Sequence, residues 1–85
     1  MSSWQSRLQK IRQNPRGASA RDLLSVLNSL DCSIRQGRGS HVVVRHPRAP
    51  TFFLVVPNSK RLKRVYVVKT LEAIDELLME LGLEE

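Results

Sequence analysis

The apolar positions of this chain change period twice. Trp4, Leu8 and Ile11 recur at i, i+4 and i+7, which predicts a short helix. Asn14-Pro15-Arg16-Gly17 ends it, because a residue before proline avoids the α region and glycine favours a turn. Ser19 and Asp22 are spaced as a capping box for a second helix. Leu23, Leu27 and Leu30 give that helix its buried face, and Leu24 and Val26 widen it.

The period then falls to two. Cys32 and Ile34 alternate with Ser33 and Arg35, and Gly37-Arg38-Gly39 can turn the chain. Ser40 to Arg45 reads as a second strand, with Val42 and Val44 on one face and His41, Val43 and Arg45 on the other. Pro47 to Pro50 reads as a loop. Thr51 to Val56 reads as a third strand that Pro57 stops. It is apolar on both faces, so a central or doubly covered position is expected. Phe52 and Phe53 point to opposite faces, and an uncovered aromatic there suits a protein partner.

Asn58 to Arg64 reads as a basic loop. Val65 to Val68 has the composition of a strand, yet Val67, Leu71, Ile74, Leu78 and Leu81 form one helical seam. The seam predicts a last helix from about Tyr66 to Leu81, stopped by Gly82. Glu72, Asp75 and Glu76 are read as lying toward its start, where the helix dipole favours acids. The order is a leading helix followed by α-β-β-β-α. Two amphipathic helices can cover one face of a three-stranded antiparallel sheet and leave the other open. The expected class is therefore α+β, a double-stranded-RNA-binding-like sandwich with an extra N-terminal helix. One domain spans 1–85, with an extension at 1–16 and a core at 18–82.

Composition narrows the function. The 85 residues carry a net charge of +6, and 41% of them are apolar, enough for a small core. Positions 1–71 hold all 14 Lys and Arg and only Asp22 and Asp31 as acids, a balance of +12. Positions 72–85 hold six acids and no cation. The acid-free stretch from Cys32 to Leu71 suits a polyanion such as RNA or DNA, or else forms a solvated basic face. No apolar run is long enough to span a bilayer, and the first ten residues lack the apolar stretch of a secretory signal. A soluble intracellular domain with no membrane partner is the expectation. Cys32 alone makes neither an internal disulfide nor a zinc site, and it reads as a small buried residue.

His41 and His46 are the candidate chemical groups. Neither has a carboxylate near it in sequence, and no phosphate-binding glycine loop is present. His41 shares its surroundings with Arg35, Arg38 and Arg45. Imidazole can move a proton to or from a ribose 2′-hydroxyl or a leaving oxygen, while guanidinium groups stabilise charge on phosphorus oxygens. No metal or other cofactor is required in such a scheme. The plain alternative is a surface histidine beside a turn. His46, before Pro47, reads as a residue at a strand end or in a loop.

Three segments together resemble the HicA toxin family: Leu23-Leu24-x-x-Leu27, Arg35-Gln36-Gly37-Arg38-Gly39-Ser40-His41, and Arg45-His46-Pro47. Lys10 to Pro15 resembles the extra helix of longer HicA-like variants, and Lys63 to Lys69 resembles their lead-in to the last helix. The resemblance implies a small metal-independent endoribonuclease that cleaves mRNA, with a double-stranded-RNA-binding-like fold. It implies a HicB-type antitoxin partner that masks the histidine of Gly-Ser-His, here His41. Gly39 and Ser40 match the rest of that motif. Arg35, Arg38 and Arg45 would hold phosphate, and Lys60, Arg61, Lys63 and Arg64 would draw in the RNA backbone. Three places depart from the family. Val42 and Val44 stand where many members have a second histidine and an aromatic, and Asn58-Ser59-Lys60 stands where many have another histidine. Fewer proton-transfer groups remain, so a non-catalytic RNA-binding module and a degenerate protein-interaction domain stay open beside the nuclease.

Overall fold

The computed structural model describes residues 3–85. The first two positions of the expected N-terminal extension lie outside the described residues. Helix α1 spans Trp4–Gln13, capped at its start by the Ser3 hydroxyl. A single 3-10 turn follows over Pro15–Gly17. Helix α2 spans Ala20–Ser29, and its capping box is formed in both directions. The Asp22 N–H donates to the Ser19 hydroxyl, and the Ser19 N–H donates to the Asp22 carboxylate, each at 3.1 Å.

Strands β1 (Ser33–Gln36), β2 (His41–His46) and β3 (Ala49–Pro57) form an antiparallel meander in the order β1-β2-β3. Helix α3 spans Arg64–Leu81 and ends on Gly82 in the left-handed region, φ 69°. The fold is α+β, with helices packed on one face of an open three-stranded sheet.

The core lies between helices and sheet. Leu23, Val26 and Leu27 of α2 meet Val44 and Val56 of the sheet and Val67, Ile74 and Leu77 of α3, all fully buried. Leu8 and Ile11 of α1 belong to the same cluster, so the leading helix adds to this core. Cys32 is buried in it, as its composition implied.

Three expectations are corrected. β3 is an edge strand, since β2 lies at the centre. Its apolar residues are split by the pleat: Phe52 and Val56 face the core, while Phe53 and Val55 are 55% and 41% exposed. β3 also begins earlier, at Ala49, so the expected loop shrinks to a two-residue turn at Pro47-Arg48. The pairing jumps from Arg45–Phe53 to His46–Ala49, leaving Pro50, Thr51 and Phe52 as a bulge, a place where an edge strand accepts proline.

The third correction concerns α3. It begins at Arg64, two residues before the expected start, so Arg64 is helical rather than part of the basic loop. No acid lies in the first turn, and Asp75 and Glu76 lie in the second half whether the helix is counted from Tyr66 or Arg64, so the expected dipole match is not made. Part of this acidic charge is met across the fold: the Arg12 guanidinium binds the Asp75 carboxylate at 2.5 Å and the Glu85 carboxylate at 2.7 Å. The buried face of α3 also includes Thr70 and Leu77, which the seam did not contain.

Candidate nucleic-acid interface

The sequence from Gln36 to His41 folds as a braced turn. The Gly37 N–H donates to the His41 carbonyl at 2.8 Å, and the His41 N–H donates to the Arg38 carbonyl at 3.1 Å. The Gln36 side-chain amide donates to the Gly39 carbonyl at 2.8 Å. Gly39 has φ +58°, a conformation that glycine adopts without penalty. Gly37 is closely approached, a different reason for glycine. A Cβ there would stand 3.1 Å from Val43 Cγ2 and 3.3 Å from the His41 carbonyl oxygen.

His41 leaves this turn as the first residue of β2, with its side chain exposed. Its Nδ1 lies 3.3 Å from the Arg38 carbonyl oxygen. A carbonyl only accepts, so this bond exists when Nδ1 carries the proton, which leaves the Nε2 lone pair facing outward. Such a ring can take a proton at Nε2.

The basic loop comes to the same place. Pro57 is the register partner of His41, and the Asn58 N–H donates to the Ser40 carbonyl at 2.6 Å. The loop is then pinned from below. Leu62 is buried, its N–H donates to the Ala18 carbonyl at 3.2 Å, and the Ala20 N–H donates to the Ser59 carbonyl at 2.9 Å. Lys60, Arg61, Lys63 and Arg64 remain exposed around the anchor. Lys63 is the N-cap of α3, and no side chain caps that helix end. Its free N–H dipoles add to the positive field of the loop.

The open sheet face is an array set by the register. Arg35, Val43 and Val55 form one row, and Ser33, Arg45 and Phe53 form the next. Arg35 is diagonal to His41, roughly 7–8 Å away by strand geometry. Arg45 is on the same face but four residues along, about 13 Å from His41. Its guanidinium sits over the Phe53 ring, 4.8 Å from the centroid. The fold therefore gathers Arg38, Gly39, Ser40, His41 and the basic loop, with Arg35 beside them and Arg45 at the far end of the face.

His46 is elsewhere. It is the last residue of β2, in keeping with its reading at a strand end, and at 4% exposure it is no loop residue. Both ring nitrogens are held by backbone groups, of Leu30 and Arg48. Val42, the position of the family's second histidine, points into the core at 5% exposure. A side chain there faces away from His41, so the departure removes no neighbour of His41 on the open face.

Gln36, Gly37 and Asn58 brace His41, although the sequence named them only in the turn, the family motif and the basic loop and not as site residues. Only their place beside the Gly-Ser-His turn could have marked them. Among the described residues no three His, Cys, Asp or Glu side chains gather as a metal-binding group. No helix among them is long and apolar enough to cross a membrane.

A family model described as the HicA toxin of bacterial toxin–antitoxin matches residues 20–75. No curated protein and no solved structure shows a significant match to the chain. The matched segment runs from the first turn of α2 through the whole sheet and into α3, well over half of the sequence, and on that ground the chain belongs to the HicA toxin family.

Proposed function

We propose that this HicA-family chain is an endoribonuclease toxin that cleaves mRNA at the His41 turn without a metal. The observation that carries the reading is the convergence on one surface of an exposed histidine with an outward Nε2, the adjoining Arg38, and the loop of Lys60, Arg61, Lys63 and Arg64. His41 takes the proton of a ribose 2′-hydroxyl at Nε2, the 2′-oxygen attacks the adjacent phosphorus, and the P–O5′ bond breaks to leave a 2′,3′-cyclic phosphate and a 5′-oxygen that takes a proton from the imidazolium or from water. Arg38 and Arg35 neutralise the charge that grows on the phosphorus oxygens. The basic loop and the N-terminus of α3 hold the neighbouring phosphates. Arg45, stacked on Phe53, lies where a strand leaving His41 along the face meets a cation and an aromatic ring together.

The antitoxin belongs to the same reading. Val43, Phe53 and Val55 make an apolar strip on the open face, edged by Arg35 and Arg45. A HicB-type antitoxin covering that strip would mask His41.

The test is mRNA cleavage in EDTA by the wild-type protein and by His41→Ala. Loss of cleavage in the variant, with RNA binding retained, is expected. Equal cleavage by both proteins removes His41 from the mechanism. Salt-sensitive binding by the wild type with no product on any RNA would instead favour a binding module.

A further inference from the structure

A cavity of about 350 Å³ lies between α1 and α2, apart from the His41 turn. Arg7 and Lys10 enter it from α1 and Arg21 from α2, with Asn14 and Ser25 among its other walls. Its one acid is Asp22, whose carboxylate already accepts the Ser19 N–H in the cap. The lining therefore carries an excess of positive charge.

Arg7 is held in place. One terminal nitrogen donates to the Ser25 hydroxyl and the other to the Ser29 hydroxyl. Its Nε is buried and has no acceptor among the described residues. Ion pairs among those residues involve Arg12, none of them Arg7. A fixed guanidinium with a buried, unanswered N–H is a rare and unfavourable arrangement unless an acceptor joins it. Two further cations and neutral polar groups around it match a tetrahedral oxyanion.

One wall of the cavity is tied by backbone bonds to the segment that carries the basic loop. Ala18 lines it, and Ala18 accepts the N–H of Leu62, the anchor between Arg61 and Lys63. Ala20, next to Arg21, donates to Ser59 beside Lys60. We infer that the α1–α2 cavity is a phosphate-binding subsite. Its ligand is a backbone phosphate of RNA whose strand continues past the basic loop, which rests on the RNA reading above. A free phosphate compound offers the same chemistry, and the two sources separate by experiment.

The test uses the full chain carrying His41→Ala, so that RNA stays intact. The Arg7 side-chain Nε–H resonance and the backbone amides of Lys10, Asn14 and Arg21 are followed by NMR. One titration adds inorganic phosphate and another a single-stranded RNA oligomer. Saturable shifts in both, at least tenfold tighter with RNA, support the subsite as a station for RNA. Shifts with phosphate alone keep the phosphate site and overturn its assignment to RNA. Shifts confined to the His41 turn and the basic loop overturn the inference and leave the nuclease reading standing. An Arg7 response together with inert wild-type protein in the cleavage assay does the reverse. Lys10→Ala/Arg21→Ala changes two exposed positions and should weaken the Arg7 response about tenfold, and an unchanged response overturns the inference.

Discussion

The His46 ring donates from Nε2 to the Leu30 carbonyl across 2.8 Å, tying the end of β2 to the C-cap of α2. The tautomer is set by the other nitrogen, since the Arg48 N–H donates to Nδ1 at 3.0 Å. The two histidines of this chain thus divide their work. His46→Ala empties a buried, doubly bonded position and should cost about 1–3 kcal/mol. His41→Ala removes an exposed side chain and should change stability by less than about 0.5 kcal/mol. Thermal unfolding of both variants checks this, and equal losses would contradict the division.

Gly37 and Gly39 are needed for separate reasons, and one substitution tells them apart. Alanine at either position should reduce cleavage by displacing His41. At Gly39 the obstacle is φ +58° alone, with open space around a Cβ. Asparagine tolerates that region, so Gly39→Asn should recover most of the activity and the roughly 1–2 kcal/mol lost to alanine. At Gly37 the obstacle is contact with Val43 and the His41 backbone, so Gly37→Asn should be no better than Gly37→Ala. Cleavage rates and unfolding midpoints of the four variants decide it.

Cys32 should be inert in the native protein. Burial, with the nearby Asp31 charge adding to it, pushes the thiol from 9.0 up to about 11. Alkylation at pH 8 should therefore be slow until denaturant is added, which mass spectrometry reads directly. The raised value also has a sign for stability. The unfolded thiol ionises first, so stability falls as pH rises from 9.0 to about 11. Cys32→Ala should remove that part of the alkaline loss, measured as the difference between the two pH profiles.

Arg12 joins α1 to α3 and to the acidic end of the chain through Asp75 and Glu85. The hydrogen bond to Glu85, ahead of the smaller contribution from Asp75, holds its guanidinium above the ordinary arginine value. A raised cation contributes below its unfolded value, which here covers the whole working pH range. The contact is partly exposed, so Arg12→Ala should cost only about 0.5–1 kcal/mol. Most of that difference should vanish in 1 M salt, as denaturant titrations at two ionic strengths would show.

Much of this fold is legible in the sequence because its signals are local. The Ser19–Asp22 box, the proline after Asn14 and the glycine after Leu81 each act within one turn of chain. The Gly37–Gly39 turn and the face carrying His41 follow from the same local chemistry. The misreadings concern relations between elements. An apolar strand looks covered whether its partner is a second layer or only a cation stacked on one ring, as Arg45 is on Phe53. Pro50 looks like a loop residue until a bulge on an edge strand accommodates it. His46 looks like a loop residue because its partners, Leu30 and Arg48, are contributed by a helix end and a tight turn.

The pairing of Arg45 with Phe53 also gives the protein a built-in gauge. A guanidinium 4.8 Å above a ring centroid lies in the shielding cone of the ring current, so its protons resonate upfield of ordinary arginine protons. A nucleotide or protein that covers the Arg45–Phe53 end of the open sheet should disturb that stack. The single tryptophan, Trp4, packs against the helical core instead and stays blind to such an event. One molecule therefore carries two independent signals, a magnetic one for occupancy of the sheet and a fluorescent one for integrity of the helices behind it.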